Sequence, residues 1–190
     1  MKKLLLTTTI ILLVSVSFIS CKKEKQEEPA QQEQATTLNQ GNGIMETVQK
    51  GPNGTNVVFS NWIIVPHTAW TGYGTSTIST EFATSSLTDA VRDNGIVLVY
   101  YYDHNNSVVR LLPYIPADGF VFDFSFVTGK ITVKFRNLIN NIFPDVDLDR
   151  KFRYVLIPSS SFSGPGGGRV HNSVDYSNYN AVCEYFGIAK

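Results

Sequence analysis

Cysteine is almost absent from this chain. The 190 residues hold two, Cys21 and Cys183. If the first is committed elsewhere, no intrachain disulfide is left to staple the fold. Histidine is nearly as sparse, with His67, His104 and His171 far apart in predicted loops. No His-Glu-x-x-His, Cys-x-x-Cys or Gly-x-Ser-x-Gly occurs, so the local signatures of zinc and serine hydrolases are missing. An excess of one charge is missing too: 16 Lys and Arg balance 16 Asp and Glu, without a basic patch. Nucleic acid is therefore not expected as a partner. The one long apolar run, residues 4–19, is slightly short of the roughly 20 residues a spanning helix needs.

That run follows Met1-Lys2-Lys3 and ends Phe18-Ile19-Ser20-Cys21. A basic start, an apolar middle and a small residue before the cut make residues 1–20 a secretory signal peptide. Ser20-Cys21 resembles the bacterial lipobox, with Phe18 where Leu is usual. The resemblance implies a lipoprotein carrying diacylglycerol- and palmitate-type chains on Cys21. Several acyl chains hold a protein firmly, at about 0.8 kcal/mol per buried methylene. The following Lys22-Lys23-Glu24-Lys25-Gln26-Glu27-Glu28 is similar to surface-export signals of Bacteroidetes lipoproteins, although its paired acids come late. Display outside the outer membrane is expected, with periplasmic retention as the alternative. Removing Lys2 and Lys3 with the leader takes the 16 basic residues to 14 against 16 acidic.

Residues 21–50 are Glu, Gln, Lys, Thr and Asn with few large apolar side chains. Such composition predicts a flexible, disordered tether behind the lipidated Cys. Residues 51–190 are dense in Val, Ile, Phe, Tyr and Trp, and about 140 residues suit one domain. Residues 57–65 (VVFSNWIIV) read as the first strand and residues 75–82 as a weaker one. The unbroken IVLVYYY of 96–102 predicts a central strand buried on both faces. Asp103-His104-Asn105-Asn106-Ser107 is a turn, with 108–114 returning as a hairpin partner. Phe120, Phe122, Phe124 and Phe126 alternate onto one face, as do Ile131, Val133 and Phe135 after the Thr128-Gly129 turn. Residues 152–157 (FRYVLI) make the last strand.

Two helices are expected. Ser86-Leu87-Thr88-Asp89 has the form of a capping box, followed by an apolar stripe of Leu87, Ala90 and Val91. Tyr179, Val182, Cys183 and Phe186 follow the i, i+3, i+4, i+7 spacing, and Gly187 stops the run. Helical connections between strands are mostly missing. The fold class is therefore mainly β: a single antiparallel β-sandwich or jelly-roll-like domain with a short internal helix and a C-terminal helix.

Several short motifs recur in one order. Gly51-Pro52-Asn53-Gly54 leads into Ser60-Asn61-Trp62, with a second Trp at position 70. Asn94-Gly95-Ile96-Val97-Leu98-Val99-Tyr100, Leu112-Pro113-Tyr114, Phe152-Arg153-Tyr154-Val155-Leu156-Ile157-Pro158 and Phe186-Gly187-Ile188 come after. In this, residues 51–190 resemble a family of uncharacterised Bacteroidetes surface lipoproteins, whose β-domain often follows a collagen-like Gly-x-y tract. Here the tract is a single unit, too short for a triple helix. The resemblance implies a β-domain displayed on lipid and brings no activity with it.

Candidate sites are few. Asp145, Asp147 and Asp149 alternate on one face of an extended segment and could offer oxygen ligands to Ca²⁺. An EF-hand would need Gly and Glu where Arg150 and Leu156 stand, so the alternative is a solvated edge neutralised by Arg150 and Lys151. His67 and His171 could meet across loops at a metal, against two solvated loop histidines. Gly164-Pro165-Gly166-Gly167-Gly168-Arg169 lacks the ending of a phosphate loop and reads as a connector. Trp62, Trp70 and Tyr114 are ligand-binding candidates, with Tyr73, Tyr101 and Tyr176 behind them, against the reading that aromatics fill a β core. Cys183 reads as a small buried hydrophobe.

With no acid–base or nucleophile constellation in view, a non-enzymatic surface binding or adhesion module is expected. Its partners would be the membrane, through the lipid, and a glycan or an envelope protein. The alternatives are an accessory subunit of an outer-membrane protein assembly and, last, a hydrolase without a legible motif.

Overall fold

Strands form where the β-branched and aromatic runs predict them, and in one place where composition does not. The computed structural model describes residues 35–41, 43–51, 54, 56–116, 119–139, 149–159 and 174–190. In chain order the strands are β1 (Thr36–Gly41), β2 (Ile44–Lys50), β3 (Asn56–Ser60), β4 (Ile63–Val65) and β5 (Thr77–Ala83). After helix α1 (Asp89–Asn94) come β6 (Ile96–Asp103), β7 (Val108–Leu111), β8 (Phe120–Val127), β9 (Lys130–Asn137) and β10 (Arg150–Ile157), then helix α2 (Tyr179–Phe186). One sheet runs β1-β2-β3-β10-β6-β7, with β4 also on β10; the other runs β5-β9-β8. All pairings are antiparallel, as in a β-sandwich.

Strand β10 shows why the layers stack as they do. Residues 152–157 are all buried, and alternation splits them between two cores. Phe152, Tyr154 and Leu156 join Val99, Tyr101, Phe122, Ile131, Val133 and Phe135 between the sheets. Val155 and Ile157 join Leu98, Tyr100, Val182, Cys183 and Phe186 beneath α2. Each such side chain contributes about 1.5–3 kcal/mol when fully buried. The larger sheet is thus covered by the smaller sheet on one face and by α2 on the other. The β6 run is apolar on both sides for this reason.

Helix α2 forms as its spacing predicts. Asn178 caps it by accepting from the Ala181 N–H at 3.2 Å, and Gly187 ends it at φ 67°, the left-handed conformation that glycine takes without strain. Buried Arg153 fixes its position. The guanidinium donates to the Ser60 carbonyl (2.7 Å), the Tyr179 hydroxyl (2.5 Å) and the Ala189 carbonyl (2.6 Å), and stacks over Phe59.

Three expectations need correction. The tether was expected to reach residue 50, but residues 36–50 form the β1–β2 hairpin at the edge of the large sheet. Backbone pairing to β3 and one buried polar side chain hold it, so little apolar surface is needed. That side chain is Glu46, 0% exposed, whose carboxylate accepts from Gln40, Thr84, Ser86 and Tyr154. The expected strand 57–65 is broken at Asn61-Trp62. There the Ser60 hydroxyl accepts from the Tyr154 N–H, and Asn61 binds Met45 through backbone and side chain. The cap of α1 is Thr88, whose hydroxyl accepts from the Val91 N–H at 3.4 Å, rather than Ser86, which serves Glu46. The rest of the predicted tether, the signal peptide and Cys21 lie outside the described residues.

Candidate functional site

The sandwich is closed along its middle by aromatic contacts and opens at one end. Phe122 on β8 stacks on Phe135 of β9 (ring centroids 4.0 Å apart) and on Tyr101 of β6 (4.5 Å). Beyond β7 the Leu112–Pro113 peptide is cis, and Tyr114 then exchanges two backbone hydrogen bonds of 2.9 Å with Phe122. This bridge carries the chain from the large sheet to the small one and sets the Tyr114 ring near Tyr101 (6.4 Å). The rings border a cleft of about 320 Å³, within the range of small-ligand sites. Its floor is Tyr101, Phe122 and Phe135, Tyr114 and Pro116 flank it, and Asp103, Asn105, Asn106 and Arg150 supply the polar groups.

Those polar groups arrive for local reasons. Asp103 ends β6, and its carboxylate organises the turn predicted there: it accepts from the Asn105 N–H at 3.1 Å and the Asn106 side-chain amide at 2.7 Å. Arg150 opens β10, one step beyond the Lys151–Tyr102 pair, which sets it beside the end of β6. Its Nε is buried without a hydrogen-bond partner. Arg110, the cross-strand neighbour of Tyr101, places its guanidinium 5.3 Å from the Tyr114 ring centre. The floor rings are only 3–5% exposed, so half-buried Tyr114 is the ring that can stack a flat apolar face, with the amides and the guanidinium placed to bond the groups around its edge.

The predicted site residues do not gather there as a set. Tyr114 lines the cleft. Trp70 is not a platform: it is 3% exposed and packs edge-on against Phe152 in the core, where a large ring gains most from burial. Trp62 lies on the opposite face of the large sheet, half-buried among Tyr102 and Tyr179, with Lys151 and Arg153 over its ring. Asp145, Asp147, His171 and the glycine-rich connector lie outside the described residues. Asp149 accepts from the His67 N–H at 3.2 Å and so caps the short 3₁₀ turn His67–Ala69. Among the described residues no three His, Cys, Asp or Glu side chains converge as metal ligands, and no helix is long and apolar enough to cross a membrane. Cys183 is buried on the core-facing side of α2, as predicted. Burial first, then Cys183, pushes the adjacent Tyr179 phenol up to about 12, with Arg153 opposing. Sequence reasoning missed Phe122, Phe135, Arg150, Asp103, Asn105 and Asn106. The available signal was an Asp-x-Asn-Asn turn directly after a Tyr-Tyr-Tyr strand end.

A second cleft, of about 530 Å³, runs between β4 and β5. Ile44, Ile63, Val65, Pro66 and Phe82 make it apolar, and Ile64 beside them is 65% exposed. β4 and β5 are each the last strand on this side of their sheets, and the Thr71–Ser79 bridge covers part of the β5 edge.

Comparison with protein-family models, with curated proteins and with solved structures finds no match. Fold and site together define a β-sandwich-like domain with a C-terminal helix and an aromatic-floored cleft at one end.

Proposed function

We infer that this chain is a lipid-anchored binding module of the outer membrane, displayed outward, that takes a glycan in the cleft at the end of its sandwich. The observation that carries this reading is the grouping of Tyr101, Tyr114, Phe122 and Phe135 with Asp103, Asn105, Asn106 and Arg150 around one cleft. Sugars present an apolar face of C–H groups and a rim of hydroxyls, and that arrangement answers both. The signal, the lipobox-like Ser20-Cys21 and the resemblance to Bacteroidetes surface lipoproteins support the location.

Two measurements test it. On a glycan array, the full chain should bind a restricted set of sugars, and Tyr114→Ala should weaken each hit about tenfold while leaving the melting temperature near that of the parent. Binding that is insensitive to Tyr114→Ala removes the cleft from the account. In fractionation, Cys21→Ser should leave the protein soluble or its signal uncut; a processed, membrane-bound variant would overturn the lipid anchor.

One observation favours a second reading, the accessory subunit of an outer-membrane protein assembly. The β4–β5 cleft offers apolar side chains beside two strand edges, the chemistry of a protein interface. A stoichiometric envelope partner lost on Ile64→Asp, in a chain that binds no glycan, would replace the first reading with this one.

A further inference from the structure

Charge in the cleft is unevenly satisfied. Asp103 is almost fully buried, and both of its oxygens already accept hydrogen bonds from the turn that follows it. Its acceptors are therefore engaged within the protein. Arg150, beside Asp103 at the start of β10, is in the opposite state. Its Nε is buried without a hydrogen-bond partner, and no carboxylate among the described residues lies within ion-pair distance of it. A buried N–H without an acceptor is costly, and a guanidinium is the side chain whose fork matches a planar carboxylate. The Nε of Arg110, beside the Tyr114 ring, is also buried and unpartnered, so positive charge lies behind one wall as well.

We propose that the cleft is built for an acidic sugar, a uronic acid residue whose carboxylate pairs with Arg150 while its ring lies on Tyr114. This rests on the glycan reading and names the class of sugar. The carboxylate would meet the guanidinium from the cleft side. The Asn105 and Asn106 amides would face the ring hydroxyls. A neutral sugar of the same shape offers no charge to pair with the guanidinium, so discrimination comes from that charge-assisted pair.

The test compares each acidic sugar with its own neutral form. Oligosaccharides of galacturonate, glucuronate, mannuronate and guluronate, each as free acid and as methyl ester, are titrated into the full chain by calorimetry. Esterification removes the charge and keeps the ring. At least one free acid should bind about 10- to 100-fold tighter than its ester, as a charge-assisted pair in a part-buried site implies. Arg150→Gln should bring acid and ester to equal affinity, and a melting curve matching the parent's shows that the variant is folded. Arg150→Lys should retain part of the preference. Tyr114→Ala should weaken both forms alike. Acid and ester binding equally to the parent, or a preference that survives Arg150→Gln, would overturn the acidic-sugar proposal and leave the glycan reading standing. No binding of acidic or neutral sugars, on the array or by calorimetry, would overturn both.

Discussion

Glu46 offers the sharpest test of how this domain is held together. Its carboxylate is fully buried and accepts four side-chain hydrogen bonds. Two of the donors, Tyr154 and Thr84, are themselves buried, so replacing Glu46 by Leu strands two hydroxyls that water does not reach. A stranded buried donor costs about 1–3 kcal/mol. Gln40 and Ser86 are less buried and can turn to solvent, adding less. Glu46→Leu should therefore destabilise the domain by about 3–6 kcal/mol, most or all of the margin of a typical domain. Glu46→Gln keeps one acceptor oxygen and should cost about 1–3 kcal/mol, because its NH₂ faces donors. Urea unfolding followed through the fluorescence of buried Trp70 measures both. Tyr154→Phe removes one of the stranded donors. In a double-mutant cycle the pair Glu46→Leu and Tyr154→Phe should thus be less destabilising than the sum, by about 1–3 kcal/mol. Glu46→Leu within 1 kcal/mol of the parent, or additive effects in the cycle, would refute the network as a structural tie.

Other consequences follow from the same reasoning. Arg153→Met removes three donated hydrogen bonds that join β10 to β3, α2 and the C-terminus; a loss of about 2–4 kcal/mol is expected, with amide exchange rising first in residues 179–186. Burial is the first cause raising the Tyr100, Tyr154 and Tyr179 phenols above their ordinary value of 10.0. Each favours the protonated form when folded, so its contribution is complete below pH 10 and is lost as the unfolded chain ionises above it. The folding constant should fall about tenfold per pH unit for each such tyrosine between pH 10 and 12, and Tyr179→Phe should lessen that slope in urea melts. Gly187→Ala places a Cβ at φ 67° and should cost about 1 kcal/mol in the same assay. Cys183 should resist a thiol reagent in the native protein and react at once in urea.

The sandwich was legible because periodicity and burial agree. The four alternate phenylalanines of β8, the Ile131-Val133-Phe135 face of β9 and the helical spacing of α2 all pack as their patterns require. The β1–β2 hairpin was not legible, because edge strands need only one anchored face. In β2 that anchoring falls to Ile44 and to a glutamate, a residue type that composition counts toward disorder. The break at Asn61-Trp62 was hidden for a related reason. It depends on Ser60 and Asn61 meeting Tyr154, Arg153 and Met45, partners distant in sequence, whereas the local run reads as one continuous strand. Likewise, Ser86 and Thr88 are equally good caps by type, and only the distant claim of Glu46 on Ser86 separates them.

The cleft follows from how such a sandwich ends. Its floor is a continuation of the core: Tyr101, Phe122 and Phe135 alternate inward like their buried neighbours, and nothing in their spacing marks the point where the facing layer stops. That point is set by three events far apart in sequence. Strand β6 ends at Asp103, β10 begins at Arg150, and Tyr114 crosses between sheets to pair with Phe122. Of the cleft's residues Tyr114 was named beforehand, with Tyr101 behind it, as an aromatic of the expected 108–114 strand rather than for its place at an open end. Trp62 and Trp70 were equally plausible by residue type. Tertiary placement decides among the three: the 3₁₀ turn leads Trp70 into the core, the break between β3 and β4 sets Trp62 on the α2 side, and the bridge to Phe122 holds Tyr114 at the open end. An aromatic in a β-domain thus becomes a binding surface where strand ends leave one of its faces uncovered, and here that end also carries the one guanidinium of β10 whose Nε has no acceptor.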